Sequence, residues 1–526
     1  MVTFIFMLKK LEVSIERFNN FLFDHKIFFL SVIIFILAFS FRVWNLGSAG
    51  QVWDENSLLV NYAYKHVSHA INLDFGNEFW WKGTPDHPPL VRYLRGVVSL
   101  LDIEKFENGV PVYTYDMFYN RMLSVILTSF AAVLVFLVGA RYISAYVGFS
   151  SGMIFAMLPI PLGHSQIAML EAISLLFFTL SMYTFFLFLE KPIDTKRIII
   201  AGIALGLAVL TRETHLMLLP MFILIIFIKN FKVKKNNLKQ EFKKFLFIIL
   251  IAFITFFLLW PMPFFHLDYL IKYTLDLRFS SPTPVPEVFF GKLMLVPIVY
   301  YFFYFIITTP FMILVLALIG LKKIDKSKNW ILYSIVLWFC FPFILSFYPK
   351  REQGIRYIIQ ICAPLAILAA LGFEVIVNKL TRKMFYKLLA IVALFIYLLI
   401  ILIRITPYYI DYFNVLVGGA KGVYEKKLFH LAWWGEGSLE AMNYLAKNAP
   451  IGASIGLATT PSHTFPPLPK RIVEPYNPNK KYDYVIVNFY NVVRIGFDDS
   501  QIKRDYEVVY SVMADGAPLY DVYKRK

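Results

Sequence analysis

Long apolar runs alternate with short polar stretches over the first 405 residues of the chain. Each run is about 15 to 25 residues long, against the roughly 20 residues that a helix needs to cross a bilayer. Thr211, Arg212 and Glu213 separate two of the shortest runs, so a broken or re-entrant pair is an alternative there. The pattern predicts about 11 transmembrane helices, over residues 27–45, 121–140, 146–163, 168–189, 197–211, 214–229, 245–262, 296–320, 330–348, 357–377 and 384–405.

The pattern changes after residue 405. Residues 438–449 follow the period of an amphipathic helix that ends at Pro450. Strand-like runs follow, and the Pro-rich stretch 461–478 is predicted to be a loop. These runs cover residues 453–458, 484–488, 506–512 and 519–523. The chain is therefore predicted to be an α-helical polytopic membrane protein, with a transmembrane domain over 1–405 and a small α/β domain over 406–526.

The loop between the first two predicted spans, residues 46–120, is too long for a simple connection. It contains two helix-like stretches, Asn56 to Ala70 and Pro89 to Leu101. Because one side of each stretch is apolar, we expect both to lie along the membrane surface. The polar residues of this loop are then expected at the membrane interface.

Composition supports a lipid environment for most of the chain. Hydrophobic residues make up 58% of the sequence and charged residues only 17%, an apolar share that soluble domains do not need. The formal net charge of +17 does not indicate a nucleic-acid partner, because the lysines cluster in short loops between apolar runs. Cys340 and Cys362 lie in apolar segments and are predicted to be small core residues, with no disulfide or metal role.

Basic residues determine the predicted orientation. They crowd the loops at 191–197, 229–244, 322–328 and 379–387. The positive-inside rule places such loops in the cytoplasm, together with the amino terminus. The long first loop and everything after residue 405 then face outward. We predict a multi-pass plasma-membrane protein with a cytoplasmic amino terminus and an extracytoplasmic carboxyl-terminal domain.

Asp54 and Glu55 stand side by side in the first loop, among aromatic residues and just after a predicted span. Two carboxylates beside a bilayer pack poorly, and they are suited to accepting a proton or orienting a hydroxyl. The structural alternative is that Asp54 caps the helix that follows it. Lys82, His87 and Arg92 lie further along the same loop and bring positive charge to the interface.

Short motifs are spread along the whole chain. They are Trp53 to Glu55, His87 to Arg92, Asn120-Arg121, Ala168 to Glu171, Gly206 to Glu213, Phe290 to Lys292, Pro297, Tyr300-Tyr301, Thr308 to Pro310, Gly354 to Tyr357, Tyr412 to Asn414, Gly418-Gly419 and Trp434 to Gly437. In this order they resemble the protein O-mannosyltransferase family and its aminoarabinose-transferase-like relatives. Two positions depart from the pattern: Glu171, where the family often has Asp, and Arg212, where it has Lys.

The resemblance implies a GT-C class glycosyltransferase, which takes a sugar from a polyprenyl-phosphate donor. Asp54 aligns with the acidic residue that the family places at the acceptor and the anomeric carbon, where a carboxylate can accept the proton of an attacking hydroxyl. Glu55 would orient Asp54 or the acceptor. His87 and Arg92 match positions near the lipid phosphate, whose growing charge needs cations. Inversion at the anomeric carbon is carried over from the family.

Further charged residues are candidates for the same site. Lys82 in the first loop, and Arg351 and Arg356 in an opposite outer loop, are predicted to help hold the lipid phosphate. The two arginines break the positive-inside pattern, which favours a functional role, although Arg356 could instead anchor its span at the interface. Glu171 opens an apolar span, where a carboxylate is costly. It is predicted to face the active cavity, with simple polarity at a helix start as the alternative.

Other polar motifs are given structural roles. Arg212 and Glu213 are predicted to form an ion pair in a turn between two short helices. Trp433 and Trp434 resemble the WWDYG signature of oligosaccharyltransferases, but Gly435 stands where that signature has a carboxylate. We therefore favour an aromatic clamp that holds the carboxyl-terminal domain to the membrane.

No spacing of His and Glu residues makes a convincing metal site, so no metal and no cofactor is predicted. A divalent cation in the first outer loop, held by Glu55 or His87, is left open.

The sequence predicts an integral membrane, mannosyltransferase-like glycosyltransferase. It would move a monosaccharide from a polyprenyl- or dolichyl-phosphate donor to a glycan, protein or lipid acceptor outside the cytoplasm. One alternative is a transporter or flippase of lipid-linked sugars, against which the long first loop and the absence of inverted repeats argue. The other is a catalytically silent member that binds lipid.

Overall fold

The computed structural model describes residues 25–55, 61–74, 77, 88–107, 110–233, 237–260, 266–268, 271, 286–324, 327–346 and 354–526. Three predicted site residues lie outside these ranges: Lys82, His87 and Arg351.

Helices account for most of the described residues. In chain order they are α1 (His25–Val43), α2 (Asn61–Ile71), α3 (Leu90–Ser99), α4 (Phe118–Tyr142), α5 (Ala145–Met157), α6 (Pro159–Ser165), α7 (Leu170–Glu190), α8 (Thr195–Thr211), α9 (Leu218–Val233), α10 (Leu238–Leu259), α11 (Tyr300–Thr308), α12 (Phe311–Ile324), α13 (Trp330–Leu345), α14 (Cys362–Leu380), α15 (Met384–Ile405), α16 (Gly419–Glu425), α17 (Ser438–Asn448) and α18 (Ser500–Asp505). Tight 3-10 turns at Glu213–Met217 and Arg356–Ile361 lead into α9 and α14.

The apolar helices coincide with the predicted spans. Within the described ranges, seven are long and apolar enough to cross a membrane, or up to nine if each of two bent pairs forms one span. The helices α8 and α13, with 17 and 16 residues, are shorter. The helical membrane architecture is therefore confirmed, whereas the number of crossings, about 11 by the length rule, stays a prediction.

Prolines account for the two bends. The helices α5 and α6 meet at 61° where Pro159 begins α6, and α11 and α12 meet at 113° just before and after Pro310. A proline lacks the N–H of an internal helix bond and disfavours helical dihedrals in the residue before it. In both places that preceding residue is extended. The runs 146–163 and 296–320, each predicted as a single span, are therefore bent pairs.

The span Arg356–Leu380 is the most enclosed of the seven unbroken spans described, with 89% of its apolar window buried. It packs backbone to backbone against α12. A Cβ atom on Gly372 would lie 1.8 Å from the Leu316 carbonyl oxygen, and one on Gly320 would lie 2.1 Å from the Leu368 carbonyl oxygen. Only glycine permits so close an approach, so the helix that begins at the predicted site arginine is held firmly inside the bundle.

The first loop contains both helices predicted for it. Helix α3 lies inside its predicted stretch, and α2 ends one residue beyond its own, at Ile71. A Cβ atom on Gly96 would come within 2.3 Å of the Ala63 carbonyl oxygen. This contact packs the two helices tightly together. Two small hairpins were not predicted: β1 (Ile103–Glu107) with β2 (Val110–Tyr113), and β3 (Glu287–Phe289) with β4 (Lys292–Met294).

The carboxyl-terminal region forms a sheet in the order β6-β5-β7-β9-β8. Its strands are β5 (Ser454–Ala458), β6 (Ile472–Pro475), β7 (Tyr484–Asn488), β8 (Tyr506–Ala514) and β9 (Ala517–Arg525). Strand β5 pairs in parallel with β6 and β7, and β9 pairs antiparallel with β7 and β8. The prediction of a loop over 461–478 is wrong at β6, because an edge strand tolerates Pro475.

Candidate active site

Asp54 lies among charged and aromatic side chains from distant parts of the sequence. Its Oδ2 atom accepts hydrogen bonds from Arg356 Nη1 at 3.3 Å and from Trp434 Nε1 at 3.2 Å. Its side chain is 19% exposed, and Oδ1 has no hydrogen-bond donor among the described residues. The carboxylate is therefore held through one oxygen and open at the other.

Glu55, the next residue, has both oxygens occupied. Arg121 donates from Nε to Oε1 at 2.9 Å and from Nη2 to Oε2 at 2.6 Å. The backbone N–H groups of Ala168 and Val52 donate to the same two oxygens at 2.7 and 3.0 Å. The side chain is fully buried. Glu55 thus ties the first loop to α4 and to the segment before α7.

Arg356 lies between the carboxylates of Asp54 and Glu171, and these three residues are here called the acidic cluster. Its Nε atom lies 3.5 Å from Glu171 Oε1, in addition to the bond that Nη1 makes with Asp54. Its guanidinium carbon lies 4.6 Å from the centre of the Trp434 ring and 5.0 Å from that of Tyr357. Attraction between a cation and an aromatic face grows with desolvation. These rings therefore hold the guanidinium group between the two carboxylates.

Glu171 is fully buried in the first turn of α7. Neither of its carboxylate oxygens has a hydrogen-bond donor in the described part of the chain. Its charge is balanced by Arg356 and by the more distant Arg212. Buried carboxylates are costly and normally hydrogen-bonded. The two oxygens of Glu171 are therefore unused hydrogen-bond acceptors within the described part of the chain.

Arg212 belongs to the same cluster, which corrects the predicted ion pair with Glu213. It is an extended residue between α8 and the following 3-10 turn, and it is 3% exposed. Its guanidinium carbon lies 4.9 Å from the centre of the Tyr357 ring, so this ring contacts both Arg212 and Arg356. An arginine at the break between two apolar runs was the sequence signal that should have placed it in the site.

Arg92, predicted near the lipid phosphate, is also buried, with 3% of its surface exposed. It lies in the first turn of α3. The preceding residue, Val91, belongs to an apolar cluster with Leu170 and Ile173 of α7. The start of α3 therefore lies against the start of α7.

Arg95, one turn further along α3, is a buried cation that the sequence reasoning missed. It donates from Nη1 to the Asn120 carbonyl oxygen at 2.9 Å, and from Nη2 to Ser124 Oγ at 2.8 Å and to the Met169 carbonyl oxygen. Burial lowers the pKa of Arg95 to about 10, against the attraction of nearby carboxylates. These bonds fix α3 to α4 and to the segment that precedes α7.

The carboxyl-terminal region contributes Trp434 to the site. Its carbonyl oxygen accepts the Trp53 N–H at 2.7 Å, and its ring stacks on Trp433 with centres 4.8 Å apart. Its own backbone N–H donates to Glu436 Oε2 at 3.0 Å. The two tryptophans therefore join the carboxyl-terminal region to the first loop, and one of them contacts Asp54 directly.

The structure gathers three predicted site residues, Asp54, Glu171 and Arg356, into one cluster. Within the described ranges, no group of three or more His, Cys, Asp or Glu side chains is placed to hold a metal ion. Of the two residues named for a divalent cation, His87 lies outside those ranges, and Glu55 is occupied by an arginine and two backbone N–H groups.

Comparison with known proteins supports the sequence motifs. Residues 86–260, about a third of the chain, match the family model described as dolichyl-phosphate-mannose-protein mannosyltransferase. The structure is also similar to that of ArnT from Cupriavidus metallidurans bound to undecaprenyl phosphate. That similarity has a TM-score of 0.50 at 11% identity and covers 94% of this chain and 97% of ArnT. The chain has the GT-C fold. The predicted resemblance is therefore confirmed.

Two further similarities are weaker. The oligosaccharyltransferase AglB from Archaeoglobus fulgidus, in complex with an inhibitory peptide and a dolichol-phosphate, gives a TM-score of 0.48 at 14% identity, over 87% of this chain and 62% of AglB. The O-mannosyltransferase complex Pmt1-Pmt2 from S. cerevisiae, bound to the sugar donor, gives 0.35 at 19% identity, over 52% of this chain and 40% of the matched chain. No curated protein sequence matches this chain. The assignment of the GT-C fold therefore depends on the likeness to ArnT.

Proposed function

We propose that this GT-C protein is a membrane glycosyltransferase that moves a monosaccharide from a polyprenyl- or dolichyl-phosphate donor to an acceptor outside the cytoplasm. One observation carries the proposal. The Asp54 carboxylate, open at Oδ1, is bonded through Oδ2 to Arg356, and the same guanidinium group faces the buried Glu171. The family match over 86–260 and the undecaprenyl phosphate bound in the ArnT structure support this class of donor.

Asp54 is the proposed base. During transfer the acceptor oxygen bonds to the anomeric carbon, the bond from that carbon to the lipid phosphate breaks, and Asp54 takes the hydroxyl proton. The open Oδ1 atom is the one that receives it. Hydrogen bonds from Arg356 and Trp434 to Oδ2 orient the carboxylate for this step. A single base and direct displacement give inversion at the anomeric carbon.

Buried arginines are proposed to hold the departing phosphate. Arg92, Arg212 and Arg356 are each no more than 7% exposed. A lipid phosphate gains negative charge as it departs, and buried cations stabilise that charge. The same role is proposed for three residues outside the described ranges: Lys82, His87 and Arg351.

Glu171 and Glu55 are proposed to orient other groups. The Glu171 carboxylate is buried and has no hydrogen-bond donor in the described chain, so it can accept hydrogen bonds from a sugar or acceptor hydroxyl. Glu55 acts at a distance, as a positioning residue. Its bonds to Arg121 and Ala168 fix the backbone that carries Asp54 relative to the start of α7.

The side of the membrane is proposed from the same contacts. Trp434 joins the carboxyl-terminal region to Asp54, so the predicted domain 406–526 and the site lie on one side. Loop charges support placing that side outside the cytoplasm of a plasma-membrane protein, with the amino terminus inside. The acceptor would then be an extracytoplasmic glycan, protein or lipid.

Donor turnover tests the proposal. Purified protein in lipid nanodiscs would receive a panel of radiolabelled polyprenyl-phosphate monosaccharides, beginning with mannose because of the family match. Wild type is expected to release sugar from one donor. Asp54→Asn is expected to bind the same donor and to turn it over at least about 100-fold more slowly, since a positioned base contributes roughly that much.

The matched control is Asp505→Asn, which makes the same change at an exposed position of the carboxyl-terminal sheet region and is expected to keep the wild-type rate. Full activity in Asp54→Asn would refute the assignment of the base. If neither protein consumes a bound donor, while labelled lipid crosses sealed vesicles, a transporter replaces the transferase.

A further inference from the structure

A wide groove lies beside the last membrane helix, apart from the candidate active site. Its volume is about 1010 Å³. It is bounded by α15, the start of α12, the segment 412–419 and the turn between β8 and β9. Asp54, Glu171 and Arg356 are not among the residues that line it. The groove is therefore a separate feature of the fold.

The wall of the groove is apolar and continues the lipid-facing surface of α15. Ile400 on this helix is 53% exposed and Val415 opposite it is 74% exposed. Only 22% of the apolar window of Met384–Ile405 is buried within the protein. Hydration of so much apolar surface is unfavourable, whereas the acyl chains of bilayer lipids are themselves apolar and can fill the groove.

Two exposed cationic side chains, each beside a carboxylate, lie at the end of this groove. Arg404, in the last turn of α15, donates from Nε to Asp515 at 2.9 Å and places Nη2 2.8 Å from the same oxygen, yet its side chain remains 68% exposed. Lys421 is 64% exposed, and Glu425 lies 3.7 Å from its ammonium group. Arginine and lysine at the end of a membrane helix lie at the depth of the lipid phosphates and attract them.

The floor of the groove is fixed by Asn414. Its amide donates to the carbonyl oxygens of Ile306 and Thr309 at 2.6 and 2.7 Å, and its side-chain oxygen accepts the Leu416 N–H at 2.9 Å. The segment that separates the groove from the interior is thus tied to the α11–α12 bend. A preformed apolar groove with a few polar groups at one end has the character of a ligand site.

We propose that this groove binds one anionic phospholipid of the surrounding bilayer. An acyl chain lies along α15, and the phosphate lies between Arg404 and Lys421. Met513 near the end of β8 and Gly516 in the turn between β8 and β9 line the opposite side. The lipid therefore joins the last membrane helix to the carboxyl-terminal sheet. This role does not depend on the proposed transferase activity.

Two matched variants of α15 test whether the groove is occupied. Ile400 lines the groove, and Ile403, one turn further on, is 52% exposed but does not line it. Ile400→Trp fills the groove, whereas Ile403→Trp adds the same ring to the lipid-facing surface. The full chain would be reconstituted with phosphatidylcholine and phosphatidylglycerol and then extracted in mild detergent. Phosphatidylglycerol retained per protein would be counted by native mass spectrometry.

One retained phosphatidylglycerol is expected in wild type and in Ile403→Trp, and none in Ile400→Trp. Equal retention by the two tryptophan variants would overturn the proposal. Retention of phosphatidylcholine and phosphatidylglycerol in the proportions supplied would overturn the choice of an anionic headgroup.

A variant that removes one exposed positive charge tests the headgroup preference and leaves the protein core unchanged. Lys421→Gln changes a side chain that is 64% exposed, so the fold is expected to remain intact even if Ile400→Trp lowers stability. Phosphatidylglycerol is expected to bind about fivefold more weakly, the effect of one basic residue at an anionic membrane surface. Phosphatidylcholine binding is expected to stay the same. Unchanged phosphatidylglycerol binding would contradict the phosphate position.

Discussion

Asp54 and Glu55 are neighbours with the same chemistry and opposite surroundings. Glu55 is fully buried, with four hydrogen bonds to its two oxygens and Arg121 at 2.6 Å. Asp54 is 19% exposed, and its bond to Arg356 is 3.3 Å long and uses one oxygen only. A carboxylate whose oxygens are all occupied stabilises the fold, whereas one with an open oxygen can take a proton. Adjacent acids in a motif therefore need not share a role.

Removing Glu55 should produce the largest effect. Glu55→Ala leaves the guanidinium group of Arg121 buried without its counter-ion and deprives the N–H groups of Val52 and Ala168 of an acceptor. We expect the free energy of unfolding to fall by about 3 to 5 kcal/mol, the usual loss when one partner of a buried ion pair is removed. The midpoint of thermal unfolding in detergent measures this.

Asp54→Ala is the matched control, because it makes a similar truncation at the next position of the same loop. Its partner Arg356 keeps Glu171 and three aromatic rings as neighbours, so we expect a loss of about 1 kcal/mol or less. Equal decreases in the unfolding midpoint for the two variants would contradict the conclusion that the fully hydrogen-bonded Glu55 stabilises the fold more than Asp54 does.

Asp411 and Glu436 extend the comparison to buried carboxyl groups that have no arginine partner in the described chain. Asp411 accepts the Ala432 N–H at 2.9 Å, and Glu436 accepts the Trp434 N–H at 3.0 Å. Burial raises the pKa of Glu436 to about 7, and burial together with the neighbouring Glu436 raises the pKa of Asp411 well above its usual value. A buried carboxyl group without a neighbouring cation therefore keeps its proton to a higher pH than an exposed one.

Stability should depend on pH through this second pair. The ordinary pKa of a glutamate is 4.5, and that of Glu436 in the fold is about 7. Between these values the folded protein holds a proton that the unfolded chain has released. The free energy of unfolding therefore falls as the pH rises, by about 3 kcal/mol from Glu436 alone.

The double variant Asp411→Asn, Glu436→Gln cannot release this proton. Its unfolding midpoint, relative to that of wild type, should rise steadily from about pH 5 to about pH 8. Other groups of the protein titrate alike in both proteins, so the difference isolates the pair. Parallel profiles would show that the two carboxyl groups are already ionised in the fold.

The parts of the architecture that follow from local sequence patterns could be predicted. Apolar runs of span length located the membrane helices, and alternation located α17 and four of the five carboxyl-terminal strands. The fifth strand, β6, escaped because Pro475 suggests a loop unless the strand is known to lie at a sheet edge. The bends at Pro159 and Pro310 also need more than hydropathy, since a run of apolar residues does not show where a helix changes direction.

The site could be predicted only in part. Asp54 and Arg356 each stood out alone, one as an acid at the interface and the other as a cation in an outer loop. Their contact across 302 positions depends on how the bundle packs. The different roles of Asp54 and Glu55 depend on which side chain meets Arg121, and no property of the local sequence decides that. The role of Trp434 depends on the placement of a region that begins after the last span.

The smallest expected effect isolates one hydrogen bond to Asp54. Trp434→Phe keeps an aromatic ring against Arg356 and Trp433 but removes the Nε1 donor 3.2 Å from Oδ2. One such bond is worth about 1 kcal/mol, so sugar transfer should slow by about fivefold. Since the bond orients the proposed base, the loss should fall on kcat, with the KM for the donor and the unfolding midpoint unchanged.

Trp433→Phe provides the control, since it alters the other ring of the same stack. Trp433 lies further from Arg356, at 6.0 Å against 4.6 Å for Trp434, and it makes no described hydrogen bond to Asp54. This variant should keep the wild-type kcat. If the two variants lost activity equally, stacking under the arginine would matter and the indole donor would not. Asp54 would then be oriented by Arg356 alone. It would depend on a single hydrogen bond, whereas four hydrogen bonds fix Glu55.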